Sequence, residues 1–302
     1  MAADLLANLS VMARASVGPE DDESGQPTVV HGVAPSVVHV APPGAPVELD
    51  VPATAGQGAT WMLLAAMGFL AGQVMSAVLL LVVAVLNGHA HDLARLATLT
   101  VPPAWVVVSG LGGLWIGFIG AVVVASRSAG TGNVRRDMRV GFRPSDLVVG
   151  PLVGLGGQFV LLPVLYLPLE RVVPHLSDKL AQPAKHLTGG FPGGDLAVIA
   201  VLTVLVVPVV EELVFRGLFL RGALRLLRGA GPALGPALSV VCTGVVFGLA
   251  HLELLQFLGL AAFGMVLSYM AYRVGRLGPC MVAHATFNLV AILAVATVVP
   301  TR

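Results

Sequence analysis

Seven apolar runs follow one another from residue 61 almost to the end of the chain, and they constrain its fold more than any other feature. A helix needs about 20 mostly apolar residues to cross a bilayer. Only 11% of the 302 residues are charged, whereas about 25% is usual in soluble domains. The sixth run is the shortest, so the fifth and sixth could also be divided differently. We predict an all-α, polytopic transmembrane helix bundle of about seven spans, at 61–86, 103–126, 147–168, 196–220, 236–256, 257–272 and 278–299.

The first 58 residues differ in composition from the rest of the chain. They are rich in Pro, Gly, Ala and Val, contain the acidic run Glu20–Glu23, and show neither a helical nor a strand period. Because such a segment buries too little apolar surface to fold, we predict a disordered tail over 1–58. Asp4 interrupts the start and no basic segment precedes an apolar core, which argues against a signal peptide. The net charge of +1 gives no indication of nucleic-acid binding.

The distribution of basic residues between the predicted loops gives an orientation. One side of the membrane receives ten of them and the other side five. Cytoplasmic loops are enriched in Lys and Arg, so we expect the arginine-rich side and the N-terminal tail to be cytoplasmic in a multi-pass cell-membrane protein. The longest loop on the opposite side, 169–195, is either a lid or a spacer, and the spacer is favoured. The ten are Arg127, Arg135, Arg136, Arg139, Arg143, Arg221, Arg225, Arg228, Arg273 and Arg276.

Three charged residues interrupt the fourth apolar run, Glu211, Glu212 and Arg216. Each charge at the centre of a spanning helix costs about 2.5–3.5 kcal/mol, so these side chains need partners and usually mark function. Glu212 and Arg216 are four residues apart and share a helix face, so they can form an ion pair. Glu211 points about 100° away and has no partner within the helix. The alternative is that all three belong to one ion-pair network that holds the bundle together.

Two histidines lie within predicted spans, His251 in the fifth and His284 in the seventh. Phe247 lies one helical turn before His251, and Asn288 lies one turn after His284. Amide hydrolysis needs an activated water and donors for the developing oxyanion. Glu211 and His251 could activate the water, while His284 and Asn288 could supply the donors. No serine has a nucleophile-elbow setting, and the HExxH helix of zinc peptidases is absent.

These residues form three motifs in chain order: EExxxR at 211–216, FxxxH at 247–251 and HxxxN at 284–288. Together they resemble the motifs of the CPBP family of intramembrane proteins, which includes the CAAX prenyl endopeptidases and the bacteriocin-processing and abortive-infection proteins. The resemblance covers roughly 140–300, and the segment 139–143 is similar to the stretch that leads into the family core. It divides the chain into the tail, 59–140 with two helices and a basic loop, and a catalytic core at 141–302.

The resemblance implies an intramembrane endopeptidase that acts on a peptide or a membrane-anchored protein at the lipid bilayer. Glu211 and His251 would activate water, His284 and Asn288 would stabilise the oxyanion, and three further residues would support them. Members of the family have been viewed both as metalloproteases and as metal-free glutamic peptidases. We expect no cofactor, although Glu211, His251 and His284 could hold zinc, which takes N and O ligands. The supporting residues are Glu212, Arg216 and Phe247.

Two other functions remain open from the residues themselves. A non-catalytic membrane scaffold or immunity protein could bind a peptide in the same polar cavity without cutting it. A transporter or proton relay also uses buried Glu and His residues, but the repeated halves typical of transporters are not visible here. By the predicted boundaries, Glu211 lies nearer the cytoplasmic side than His251, and a fourth helix that ran to about Arg228 would bring Glu211 towards the midplane.

Overall fold

The computed structural model describes the backbone of residues 54–89, 91, 102–188 and 193–298, and their side chains except for 183–193 and 295–298. Nearly all of the predicted tail therefore lies outside the described residues. Its predicted end at 58 is four residues too late, because the first helix begins at Ala55. Thr54 caps this helix: Gln57 N donates to Thr54 Oγ1 at 3.2 Å, and Thr54 N donates to Gln57 Oε1 at 3.0 Å.

The regular structure of the described residues is entirely helical, which confirms the all-α membrane bundle. Five helices, α1, α2, α4, α6 and α8, are long and apolar enough to cross a membrane, and α7 and α9 are shorter apolar helices. These seven lie at the seven predicted positions. The helices are α1 (Ala55–Leu86), α2 (Ala104–Ala129), α3 (Val134–Asp137), α4 (Asp146–Tyr166), α5 (Leu176–Thr188), α6 (Gly194–Ala230), α7 (Leu234–Ala250), α8 (Leu254–Val274) and α9 (Gly278–Val298).

The predicted loop 169–195 contains regular structure. A short 3-10 turn at Leu169–Arg171 and the helix α5 lie within it. Leu176 and Leu180 share one face of α5 because they are four residues apart. Leu176 is buried, and Gln256 Nε2 of α8 donates to the Leu180 carbonyl at 2.8 Å. The apolar face of α5 therefore packs on the bundle.

Two of the long helices contain a π turn that is followed by a proline at the same spacing. In α4 the turn covers Gly157–Leu161 and Pro163 follows, and in α6 the turn covers Leu202–Val206 and Pro208 follows. Proline has no N–H and clashes with the preceding turn of a regular helix. A π turn widens the helix at that point, and such turns occur frequently at functional sites. A further π turn, Leu213–Phe219, begins directly after Glu212.

The helices α1 and α2 pack through small residues. Gly68 and Gly72 of α1 face Gly117 of α2 so closely that a Cβ on Gly117 would collide with the backbone of both. Spacings of four residues place these glycines on one face of each helix, as in other close-packed membrane helix pairs. Ser76 Oγ lies one turn further along α1, within 2.7 Å of the Gly110 carbonyl of α2, to which it donates.

The arginine-rich end of the bundle fixes the start of α4 against the turn before α9. Leu277 N donates to the Arg139 carbonyl at 3.2 Å, and Gly278 N donates to the Gly141 carbonyl at 3.0 Å. The buried Asp146 at the start of α4 forms an ion pair with Arg276. This junction anchors the first turn of α9, the helix that carries His284 and Asn288.

Candidate active site

A buried ion-pair network between α6, α8 and α9 forms the centre of the site. Arg216 Nη1 donates to Glu212 Oε1 at 2.7 Å, and His284 Nδ1 lies 2.9 Å from the same oxygen. Arg216 Nη2 donates to the carbonyl of Gly264 on α8 at 3.1 Å, and its Cζ lies 4.4 Å from the centroid of the Phe247 ring. The Glu212 and Arg216 side chains are inaccessible to solvent. Charge-assisted hydrogen bonds in this low-dielectric setting are strong, so the network fixes the three helices relative to each other.

Glu211 lies beside this network but forms no hydrogen bond with it. Its Oε2 is 3.7 Å from His284 Nε2, which is beyond hydrogen-bond length. That oxygen is buried without a hydrogen-bond partner among the protein atoms, while the side chain as a whole keeps 14% of its exposure. The predicted division is therefore confirmed: Glu212 pairs with Arg216, and Glu211 is left without a partner in its own helix.

The Phe247 ring on α7 brings the second histidine to the site. It makes edge contacts with the Phe215 ring, at 5.1 Å between centroids, and with the imidazoles of His251 and His284, at 4.8 and 5.7 Å. The consecutive helices α6 and α7 run in opposite directions. Glu211, one turn before Phe215, and His251, one turn after Phe247, therefore come to the same level of the bundle.

His251 stands at the C-terminal cap of α7 and not within a spanning helix, which corrects the predicted fifth span of 236–256. The chain turns directly after it, because Leu252 adopts a positive φ of 56°. His251 Nδ1 lies 2.8 Å from the Phe247 carbonyl. A carbonyl oxygen only accepts, so Nδ1 carries the proton and Nε2 of the neutral ring presents a lone pair.

Asn288 binds α6 at a different level than His284 does, so each of the two donors predicted side by side has its own partner on α6. Its Nδ2 donates to the Thr203 carbonyl at 2.9 Å. In the π turn that contains Thr203, the fifth residue along is Pro208, which has no N–H to offer this carbonyl. The Asn288 amide thus replaces the missing backbone donor. An amide nitrogen has two N–H groups, so one remains for another acceptor.

The length of α6 places Glu211 far from both ends of the helix. The helix covers 37 residues, Gly194–Ala230, where the sequence predicted an end at 220. At a rise of 1.5 Å per residue, Glu211 stands about 26 Å from its first residue. The alternative of a longer fourth helix is therefore correct, and Arg221 and Arg225 are buried helix residues and not loop residues.

The structure brings Glu211, Glu212, Arg216 and His284 into direct proximity, and it brings His251 to them through Phe247. Sequence reasoning missed the contribution of two backbone carbonyls, those of Gly264 and Thr203. For the second, Pro208 five residues after Thr203 was the available signal, since a proline within an apolar run leaves a carbonyl in need of a donor. For the first, the sequence carried no signal.

The residues proposed as zinc ligands do not form a metal site in this structure. Among the residues that the structure describes, no group of three His, Cys, Asp or Glu side chains has an arrangement that could hold a metal ion. His251 and His284 both contact the Phe247 ring, and His284 Nδ1 is occupied by Glu212. The present arrangement of these side chains does not fit zinc.

The segment that carries these residues matches one protein-family model over 193–290, described as Type II CAAX prenyl endopeptidase Rce1-like. Residues 193–290 are thus similar to this family, and we refer to them below as the CAAX-protease domain. The match confirms the resemblance expected from the three motifs, over a shorter range than the predicted 140–300. Comparisons with curated proteins and with solved structures gave no match.

The CAAX-protease domain includes all the candidate residues, from Glu211 to Asn288. The helices α1, α2 and α4 lie outside it, as does the segment 139–143, which was predicted to lead into the family core. The chain is thus a membrane protein in which one segment of apolar helices is similar to a protease family.

Proposed function

We propose that this protein is an intramembrane endopeptidase that hydrolyses peptide bonds of membrane-associated or apolar peptides, with Glu211 as the general base. The observation that carries the proposal is the buried Glu211 oxygen without a hydrogen-bond partner among the protein atoms, next to a glutamate that Arg216 and His284 already bind. Two adjacent carboxylates thus have different environments. Glu212 is paired with Arg216 and His284, whereas Glu211 remains available to accept a proton. Such a difference between two neighbouring carboxylates is typical of acid–base sites.

In the proposed reaction, a water molecule lies between Glu211 and His251. His251 Nε2 accepts one hydrogen of the water, since Nδ1 is engaged by the Phe247 carbonyl. Glu211 takes the other proton while the water oxygen bonds to the carbonyl carbon of the peptide. When the carbon–nitrogen bond breaks, Glu211 returns the proton to the leaving amine, as expected of a general base that then acts as an acid.

The oxyanion of the tetrahedral intermediate would receive hydrogen bonds from His284 and Asn288. The second N–H of the Asn288 amide can serve this purpose, because only one is used on Thr203. His284 can donate from Nε2 only when the ring carries both protons, because Nδ1 donates to Glu212. Donors aimed at the oxyanion typically contribute about 10²–10³-fold in kcat. Glu212 and Arg216 would hold His284 in place.

The surroundings of the site support an apolar or membrane-anchored substrate. The rings of Phe247 and Phe263 are buried against His284, and the Phe215 ring is buried against Phe247. We also propose that the arginine-rich end is cytoplasmic, because ten of the basic residues lie in the segments at that end.

The test is cleavage of fluorogenic peptides by the purified full-length protein, with Glu211→Gln as the decisive variant. This change keeps the shape of the side chain and removes the base, so we expect the cleavage rate to fall by about 10²–10⁴-fold. Glu253→Gln is the matched control, since Glu253 is a glutamate at the start of α8 outside the site. It should cut like the wild type.

Two further measurements distinguish the proposed reaction from a metal-dependent reaction and from a non-catalytic scaffold. Cleavage by the wild type that survives a strong chelator supports the metal-free reaction, and its loss would require a metal-bound state. Unchanged cleavage in Glu211→Gln would contradict the proposed base. Peptide binding that persists in Glu211→Gln/His251→Ala, together with a wild type that binds every tested peptide and cuts none, would favour a scaffold.

A further inference from the structure

The arginine-rich end of the bundle carries positive charge that the described side chains there do not balance. The two carboxylates described at this end, Asp137 and Asp146, are 4% and 1% exposed and are both engaged. At the opposite end, acidic and basic side chains are mixed, with Glu170, Asp178, Asp195 and Glu253 beside Arg171 and Lys179. The exposed arginines of the first end are Arg127, Arg135, Arg136, Arg143, Arg228 and Arg273.

Within this end, Arg225 is a buried cation with unused donors. Its guanidinium lies 3.9 Å from the centroid of the Trp61 ring, and its Nε and Nη1 have no hydrogen-bond partner among the protein atoms. The residue is only 3% exposed. Trp61 Nε1 donates to the Ala129 carbonyl at 3.2 Å, so the start of α1, the end of α2 and the end of α6 meet around Arg225. Arg228 is close enough to repel its charge.

The nearby carboxylate of Asp137 attracts Arg225 but is committed to other donors. Its oxygens accept from Ser126 Oγ at 2.5 Å and from the Thr131 backbone N at 3.0 Å and hydroxyl at 2.8 Å. These bonds close the loop between α2 and α3. A buried charge that lacks a hydrogen-bonded counter-charge is costly, so the surroundings of Arg225 favour an added anion.

We propose that Arg225 and Arg228, with Trp61 as a wall, form a binding site for the phosphate of an anionic phospholipid headgroup. Guanidinium groups match phosphate in geometry and charge. A lipid is favoured over a soluble anion because the site lies at the ends of three membrane helices, where Trp and Arg side chains meet headgroups. Basic pockets between membrane helices bind anionic headgroups in this manner. The site is separate from Glu211 and does not depend on peptide cleavage.

The test is native mass spectrometry of the full-length protein with mixtures of phosphatidylglycerol and phosphatidylcholine. Arg225→Gln and Arg228→Gln should each lower the preference for phosphatidylglycerol by about fivefold, which is typical of one arginine that contacts an anionic headgroup. Arg273→Gln is the matched control. It removes the same charge from an exposed position at the same end, on α8, and should leave the preference unchanged.

Arg228 is exposed, so Arg228→Gln decides the outcome if Arg225→Gln fails to fold. An equal loss in Arg228→Gln and Arg273→Gln would show that net charge, and not a site, determines lipid preference. No loss in Arg228→Gln would overturn the proposal directly. Displacement of phosphatidylglycerol by inorganic phosphate at an equal concentration would assign the pocket to a soluble anion and overturn the lipid assignment.

Discussion

The hairpin of α1 and α2 packs through residues with almost no side chain, whereas α6, α8 and α9 meet through a charged network. In the hairpin, the glycines let two backbones approach, and Ser76 binds only backbone carbonyls. In the CAAX-protease domain, Glu212, Arg216 and His284 are buried together with a fourth ionisable group, Glu211, beside them.

The comparison shows two solutions to helix association in lipid, where helices gain little from apolar burial against each other. Close backbone packing provides dispersion contacts and needs no desolvation of charge. The charged network requires the desolvation of charge, and burying ions costs several kcal/mol unless they are paired and hydrogen-bonded. Buried ionisable residues in membrane proteins are usually functional. The location of this network in the segment that matches the protease family agrees with that rule.

Breaking the charged network should have the largest effect on stability. Arg216→Met leaves Glu212 buried without its cation, and we expect a loss of about 3–5 kcal/mol in the free energy of unfolding. Denaturant unfolding in detergent measures it. Glu212→Leu/Arg216→Met removes both charges and should lower the free energy of unfolding by less than the single variant does. A double variant as unstable as the single one would show that packing, and not charge, sets the cost.

Adding a methyl group at the glycine contact between α1 and α2 should have an intermediate effect on stability. Gly117→Ala places a Cβ against the backbone of Gly68 and Gly72, and overpacking of this kind costs about 1–3 kcal/mol. Gly120→Ala on the same helix is the control, because nothing lies within 4 Å of its added Cβ. Thermal unfolding should separate the two variants. Equal melting temperatures would contradict the close packing of the hairpin.

Removing the amide that serves the π turn of α6 should have a smaller effect on stability. Asn288→Ala leaves the Thr203 carbonyl without the hydrogen bond at 2.9 Å, at a cost of about 1 kcal/mol. Pro208→Ala added to this variant restores a backbone N–H and should recover much of that stability. Any loss of cleavage that persists after the recovery measures the proposed role of Asn288 at the oxyanion. No recovery would refute the link between Pro208 and Asn288.

The smallest effect is expected from Ser76→Ala in the hairpin. The change removes hydrogen bonds to the Gly72 and Gly110 carbonyls, at 2.9 and 2.7 Å. Hydrogen bonds between membrane helices average only about 0.6 kcal/mol. The melting temperature of Ser76→Ala should therefore lie close to that of the wild type. The loss of stability should be much smaller than in Gly117→Ala. A larger loss would mean that polar contacts, and not glycine packing, hold the hairpin.

Much of the fold and part of the site followed from local sequence. Apolar runs locate spanning helices because the bilayer requires about 20 apolar residues, whatever the neighbours are. The Glu212–Arg216 pair and the isolation of Glu211 followed from helical periodicity alone, since both depend on one helix. The family match adds support for the three motifs, which also are local patterns.

Other features depended on contacts between elements that are distant in sequence. His284 reaches Glu212, 72 residues away, and Asn288 reaches Thr203, 85 residues away. No periodicity in the sequence predicts contacts between residues this far apart along the chain. The helix α5 was missed because its apolar face is short, and Arg225 was placed in a loop because its burial requires Trp61 of another helix.

The sequence by itself determined which segments enter the membrane and which residues share a helix face, because both follow from hydropathy and the helical repeat. Only the tertiary structure decided that His284 binds Glu212 and that Asn288 binds the Thr203 carbonyl. These choices depend on how α6, α7, α8 and α9 pack against each other. The packing is set by glycines, π turns and prolines whose partners lie elsewhere in the chain.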